Sequence, residues 1–332
     1  MADRYLVLGS NSFSGASFIT NLLLSDSNVL VKGISRSNEP NEAFLPYKNI
    51  SNYENRFNFY QLDLNNDLNK IVEIIKSFKP NYIINFAAQG MVAQSWDKPT
   101  HWYNTNVLSL LKLIDSIYKF DFIERFIQAS TPEVYGPCDN VKESMCYLPS
   151  SPYAASKASA DMLLYAYFST HGFPVCFTRA SNVYGPYQQL YRIIPRAVFI
   201  IKQNEKIPLH GGGSAVRSFI HINDVASATI KIAKDGVSGN VYHLSDTETI
   251  KICDLVTLVA DRMGKDISEH SYNVPDRVGQ DSKYLMNADK IKAELNWEPK
   301  ISLKQGISEV IEWVDNNHEA LKAVPLDYIH KE

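Results

Sequence analysis

The run RYLVLGS (residues 4–10) ends in glycine and serine, and GASFITNLLLS (15–25) then places apolar residues at helical spacing. No other short stretch limits the fold of this chain as much. An apolar segment too short for a helix, a sharp turn and an immediate helix together open a strand–helix unit. The pattern then recurs. NVLVKGISRS (28–37) and FNFYQLDL (57–64) are strand candidates, and LNKIVEIIKSF (68–78) is an amphipathic helix. PNYIINFAA (80–88) is strand-like, NTNVLSLLKLIDSIYKF (104–120) a long helix, and ERFIQAS (124–130) the next strand. SKASADMLLYAYFSTHG (156–172) is a helix closed by glycine, and FPVCFTRAS (173–181) follows it as a strand. Strands that are apolar throughout are buried on both faces, and the helices between them supply the cover. The expected fold class is therefore α/β, with a Rossmann-like doubly wound parallel sheet.

The loop between the first strand and helix, VLGSNSFSG (7–15), sits where small residues let a backbone approach a pyrophosphate. Gly9 and Gly15 keep the dinucleotide spacing Gly-x-x-Gly-x-x-Gly, while Ser12 occupies the middle place. Asp63 in LDL (62–64) follows the third strand, where it can meet an adenine amino group, and NFAAQ (85–89) puts small residues at another strand end. The second strand ends in Ser35 and Arg36 with no acid for a ribose 2′-hydroxyl, and Arg36 suits a 2′-phosphate. The cofactor expected is thus NAD(P), with NADP favoured slightly over NAD. Residues 1–180 are expected to form the NAD(P)-binding domain, with strand–helix returns near 216–233 and 241–246. Residues 181–330, where the alternation weakens, are expected to form mainly a smaller α/β substrate lobe.

Composition narrows the partners. A net charge of −3 over 332 residues offers no basic footprint for nucleic acid and no polybasic membrane anchor. The start, MADRYLVLGS, lacks the form of a signal peptide, and no run of about 18 apolar residues occurs. Cys138, Cys146, Cys176 and Cys253 form no CxxC pair, and the eight histidines lack HExxH spacing. A reduced, cytoplasmic setting and no metal are expected.

YAASK (153–157) gives Tyr153 and Lys157 one helical turn apart, on one face. An ammonium beside a phenol eases its ionisation, and a phenolate can take a carbinol proton while hydride leaves. Ser130 and Thr131 stand about 22 residues upstream, at the end of a strand. Beside them is Glu133, in STPEVYG (130–136), where an idle carboxylate is costly to bury.

With these pieces in place, the chain resembles the extended short-chain dehydrogenases that act on nucleotide sugars, from the phosphate loop to about residue 300. GSNSFSG, NFAAQ, STPEVYG, YAASK, RASNVYGP (179–186), VRSFIHINDV (216–225) and DRVGQD (276–281) carry the resemblance. Within that family, Thr131-Pro132-Glu133 is similar to the 4,6-dehydratases of the GDP-mannose and dTDP-glucose type, which have threonine two places before glutamate. The resemblance implies an NAD(P)-dependent hydro-lyase with a tightly bound cofactor. C4 of the sugar is oxidised, water leaves across C5–C6, and hydride returns to C6. Thr131, Glu133, Tyr153 and Lys157 are the implied catalytic set. Gly9, Ser12, Phe13, Ser14, Gly15, Arg36, Asp63, Leu64, Ala87, Ala88 and Gln89, with Tyr153 and Lys157, are the implied cofactor contacts. Ser130, Asn182, Leu209 in KIPLHGGG (206–213), Arg217 and Arg277 are the implied contacts to a nucleotide-diphosphate sugar.

One departure stands out. dTDP-glucose dehydratases have an aspartate where Pro132 stands, credited with protonating the leaving oxygen; GDP-mannose dehydratases have serine there. Thr-x-Glu also occurs in UDP-glucuronate decarboxylases, and 4-epimerase and 4-dehydrogenase chemistry use the same Tyr–Lys pair. A non-catalytic NAD(P)-binding regulator needs none of this proton machinery. The family also implies a homodimer built on the helices at 104–120 and 154–171.

Overall fold

The computed structural model describes residues 2–275 and 283–331. Chain order begins β1 (Arg4–Leu8), α1 (Phe13–Ser25), β2 (Leu30–Ser35), β3 (Phe57–Gln61), α2 (Leu68–Phe78) and β4 (Tyr82–Asn85). It continues α3 (Pro99–Tyr103), a π-turn (Asn104–Ser109), α4 (Leu110–Ile117), β5 (Arg125–Ala129), β6 (Cys138–Val141), α5 (Pro152–His171) and β7 (Val175–Ala180). Next come β8 (Asn182–Tyr184), α6 (Ile193–Lys202), β9 (Ile207–His210), β10 (Val216–His221), α7 (Ile222–Asp235) and β11 (Val241–Leu244).

Seven strands form one sheet in the order β11-β7-β5-β4-β1-β2-β3, every pair parallel. The α/β doubly wound class is what the structure has. Side-chain alternation along β1 shows why both faces needed cover. Tyr5 and Val7 pack with Phe18, Ile19 and Leu22 of α1 and with Val225 and Ile232 of α7. Leu6 and Leu8 pack on the other face with Ile71 of α2, Leu113 of α4 and Leu164 of α5. Strand order reverses between β2 and β4 on either side of β1, so a crevice opens at the carboxyl ends of β1 and β4.

The remainder of the chain is built around a separate core. After β11 come β12 (Thr249–Lys251), α8 (Ile252–Arg262), α9 (Ile267–His270), β13 (Ser271–Val274), β14 (Tyr284–Met286), α10 (Asp289–Leu295) and α11 (Leu303–Leu321). Helices α6, α8 and α11 bury Ile194, Val198, Leu255, Val259, Val310 and Trp313 together. β10 pairs with β8 and β12, β9 with β13, and β6 with β14. Among the described residues no helix is long and apolar enough to cross a membrane.

The long helix expected over 104–120 differs. It starts at Pro99, whose fixed φ and missing N–H suit a first helical position, and it ends at Ile117. Its middle, Asn104–Ser109, widens into a π-turn, a feature that apolar spacing cannot reveal and that often marks a functional site.

Candidate active site

The β1–α1 loop shows why glycine stands at both ends of the motif. Gly9 has φ +78°, and a Cβ there would lie 2.7 Å from the backbone nitrogen of Ala87. A Cβ on Gly15 would lie 2.2 Å from the Gly9 carbonyl oxygen. The two glycines therefore let α1 close onto the loop and the loop onto Ala87, making a backbone-lined cradle at the helix N-terminus. Ser12, in the middle place, has φ −72° and needs no glycine; its Oγ caps α1 by accepting from Gly15 N at 3.0 Å. Phe13 and Ser14 open the helix behind it. This cradle fits the pyrophosphate of a dinucleotide.

The rest of the crevice is bound by side chains. Ala87 and Ala88 follow β4, and the Gln89 backbone is gripped on both sides by Asn106. Gln89 N donates to Asn106 Oδ1 at 2.8 Å, and Asn106 Nδ2 donates to Gln89 O at 3.1 Å. The same Nδ2 reaches Ser156 Oγ at 2.9 Å. The π-turn thus holds a buried asparagine against the helix that carries Tyr153 and Lys157. Asp63 uses its carboxylate within its own turn, accepting from Asn65 N and Asn66 Nδ2, with Leu64 buried beside it. Arg36 Nη2 donates to the Lys331 carbonyl (3.1 Å), as does Gln89 Nε2 (2.9 Å), and Lys331 Nζ donates to Ser37 Oγ (3.3 Å). The C-terminal residues therefore cross from β2 to β4 over this crevice.

At the end of β5, Thr131 caps a single 3-10 turn, Pro132–Tyr135, by accepting from Glu133 N at 3.3 Å. Pro132 is buried under the turn, while Glu133 is half-buried. Ser151 caps α5 by accepting from Ala154 N, which starts the helix so that Tyr153 occupies its first turn. Tyr153 and Thr131 are joined by a side-chain hydrogen bond. Burial and the Glu133 charge push the Tyr153 phenol up; the Thr131 bond and the Arg192 charge pull it down. Lys157 is buried and donates to the Ala129 carbonyl at 2.5 Å; desolvation lowers its pKa to about 8. Arg192 supplies a positive charge that eases the phenol.

Farther along the cleft, Asn182 Oδ1 accepts from the Tyr284 hydroxyl at 3.0 Å, and the buried Arg217 guanidinium lies 4.5 Å from the Tyr284 ring. Tyr284 also feels the charges of Glu133, Arg217 and Arg192, and burial leaves its phenol pushed up to about 12. It links the Glu133 end of the cleft to the Asn182–Arg217 end. Leu209 is buried in β9 and packs in the core of the C-terminal lobe. Ser130 turns its Oγ to Asp161. Arg277 lies outside the described residues. Among the described residues no group of three metal-ligating side chains occurs. Sequence reasoning missed Asn106, Arg192 and Tyr284; none belongs to a short motif, and only folding brings them to Tyr153, Lys157 and Glu133.

A seven-stranded parallel sheet with this cradle and a Thr–Tyr–Lys–Glu cluster at one crevice defines a nucleotide-dependent enzyme of the dehydrogenase-derived class. The family model for GDP-mannose 4,6 dehydratase matches residues 6–310, and the chain belongs to that family. It is 30% identical to human dTDP-D-glucose 4,6-dehydratase, over 97% of this chain and 93% of that one. DesIV, a dTDP-glucose 4,6-dehydratase of Streptomyces venezuelae solved with NAD bound, superposes with TM-score 0.87 at 29% identity, covering 96% and 98% of the two chains. The UDP-glucose 4-epimerase of Thermotoga maritima matches with TM-score 0.85 at 25% identity, covering 95% and 99%.

Proposed function

We propose that the chain is a nucleotide-sugar 4,6-dehydratase with bound NAD(P). The observation that carries this reading is the placement of Glu133: a half-buried carboxylate, on the same short turn as Thr131, whose charge acts on Tyr153. A 4-epimerase has no work for such a carboxylate, and the dTDP-glucose dehydratase relatives support the same reading.

NAD(P), when bound, would supply the hydride acceptor for C4 and the hydride donor for C6. The cradle of Gly9, Ser12 and Gly15, with Ala87, Ala88 and Gln89, would hold it. Tyr153, bonded to Thr131, takes the proton of the C4 hydroxyl. The C4 ketone acidifies the C5 proton, and Glu133 removes it. Pro132 has no proton to give, so Glu133 delivers that same proton to the departing C6 oxygen, and water leaves. The proton taken from the C4 hydroxyl stays in the site and is the one C5 takes up when hydride is returned to C6. Asn182, Arg217 and Arg277 grip the diphosphate, and Arg192 adds a further positive charge to the cleft. Arg36 and Lys331, two cations at the end of β2, favour NADP over NAD, whereas DesIV was solved with NAD. Calorimetric titration with each cofactor tests this, with Arg36→Ala expected to weaken NADP more than NAD.

The test of the reaction is incubation with a panel of nucleotide sugars, read by mass. Loss of 18 mass units (one water, by the atoms that leave) without lasting absorbance at 340 nm is expected. Loss of carbon dioxide or of two hydrogens, or no mass change with inverted C4, would move decarboxylase, dehydrogenase or epimerase chemistry ahead.

A further inference from the structure

Behind the reaction centre lies a buried ion pair that the steps above do not use. Asp161 stands one helical turn beyond Lys157 on α5, and Arg179 lies in β7; both side chains are fully buried and meet at 2.9 Å. Their other contacts run toward the catalytic face. Asp161 Oδ2 also accepts from Ser130 Oγ at 2.6 Å. Arg179 donates to the Ser144 carbonyl at 2.8 Å and to the Tyr147 hydroxyl at 3.3 Å, and its guanidinium lies 4.5 Å from the Tyr135 ring.

Tyr135 belongs to the turn that carries Glu133. Its far end is fixed by His243 in β11. The His243 Nδ1 lies 2.8 Å from the Asn287 carbonyl, which can only accept, so the ring proton sits on Nδ1. Nε2 then accepts the Tyr135 hydroxyl proton at 2.7 Å. Burial keeps this imidazole neutral, lowering its pKa to about 3.

Stability alone does not account for the pair. A buried ion pair is commonly no better than an apolar filling of the same space. Here Asp161 Oδ1 and Arg179 Nε have no hydrogen-bond partner among the described residues. What the pair does have is a hydrogen bond to Ser130, a charge that acts on Lys157 and a guanidinium against Tyr135.

We infer that Asp161, partnered by Arg179, is the positioning residue of this site: it holds Ser130, supplies the negative charge beside Lys157 and, through Arg179 and Tyr135, braces the turn bearing Glu133. The inference rests on the proposed reaction, with Lys157 as the ammonium one helical turn from Tyr153 and Glu133 as the base. Asp161 faces Lys157 on its own helix, Arg179 from β7 and Tyr147 from the segment before α5. Arg179 in turn faces Tyr135, Tyr147 and His243. Burial raises the Asp161 carboxyl, while Arg179, Ser130 and Lys157 pull it down. The net direction is upward, and the Arg179 guanidinium at 2.9 Å, which keeps its protons, is the charge that holds the carboxyl ionised. Burial lowers Lys157, and the Asp161 charge opposes that fall. Removing the charge therefore lowers Lys157 further.

The test is a titration of the folded protein by 13Cε-lysine NMR, with Lys157 identified through Lys157→Arg. Asp161→Asn strands the Arg179 charge and endangers folding, so Asp161→Asn/Arg179→Gln, which strands none, is measured beside it. The Lys157 midpoint should move down by about one to two pH units in folded Asp161→Asn, and down by less in the double variant, where loss of the Arg179 charge acts the other way. In a single turnover with a nucleotide sugar, reduction of bound cofactor by Asp161→Asn near pH 8 should fall about five- to fiftyfold, its alkaline limb displaced by the same interval. A folded variant with an unmoved Lys157 midpoint overturns the proposal. So does one that loses thermal stability while keeping the wild-type pH profile. If no nucleotide sugar reduces the cofactor on wild type, the proposed reaction fails, and the NMR midpoint still decides the role of Asp161.

Discussion

Lys157 donates to the carbonyl of Ala129 at 2.5 Å, tying the helix that carries Tyr153 to the strand that ends in Ser130 and Thr131. That bond survives only while the amine keeps a donor pointed at the strand, and its charge is what burial threatens. Desolvation brings Lys157 to about 8, so the ammonium is present below that pH and is lost above it. Hydride transfer from C4 should decline as pH rises through about 8. Stability should move the other way. An unfolded lysine holds its proton to about pH 10.4, so between pH 8 and roughly 9.5 the unfolded chain binds more protons and stability rises with pH. Above that window the buried tyrosines Tyr5, Tyr47 and Tyr184, all raised by burial, work against it. Single-turnover absorbance and urea midpoints over this range check the opposition. A parallel fall in both would assign the limb to another group.

On the acid side the sign reverses. His221 and His243 are buried neutral, at about 4 and about 3. Unfolded histidines take protons from about pH 6.5 downward, so stability should fall as pH drops from there toward 4, approaching two protons released per refolding event. Asp224 and Glu309 face His221, and Glu143 faces His243; Glu143, itself raised by burial, offsets part of the slope. His243→Asn should flatten it, which urea midpoints at pH 4.5 to 7 measure directly.

Tyr153→Phe removes the hydroxyl that Thr131 bonds and that takes the C4 proton. The fold and cofactor binding should persist, because the aromatic ring stays. The first hydride transfer should fall by about 10²–10⁴-fold. Stopped-flow absorbance at 340 nm on mixing with a nucleotide sugar reads that step alone. A normal first transfer would remove Tyr153 from the mechanism.

Leu108 in the π-turn and Met162 and Tyr165 on α5 are exposed at 48%, 51% and 40%. These helices are the ones expected to pair two copies of the chain, and an isologous contact would cover the patch. Light scattering at micromolar concentration should give the mass of a dimer or a larger even assembly, and Met162→Glu should shift it toward the monomer. A wild-type monomer contradicts this.

How much of this was legible in the sequence follows from what each feature depends on. The sheet and its covering helices were readable because buried parallel strands must be apolar throughout, as in YLVL and YIIN, and α2 was read at its true limits, 68–78. Gly9 and Gly15 were readable because their contacts admit no Cβ. Ser12 stands where the motif has its middle glycine, and its N-cap role follows only from the helix that starts at Phe13. The π-turn was not readable, since one extra residue per turn leaves the apolar count almost unchanged, and with it went Asn106. Asp161 and Arg179 were invisible for another reason. Each looks like an ordinary charge within its own element, and only the packing of α5 on β7 shows that both are fully buried.

Glu133→Gln asks whether Glu133 removes the C5 proton. The turn should survive, since Thr131 caps it through a backbone nitrogen rather than through the carboxylate. In a single turnover on the nucleotide sugar that wild type dehydrates, the first rise at 340 nm should be normal. The 4-keto sugar still bearing its C6 hydroxyl should then accumulate, with loss of water slowed by about 10²–10⁴-fold. Dehydration by Glu133→Gln at close to the wild-type rate would contradict the account.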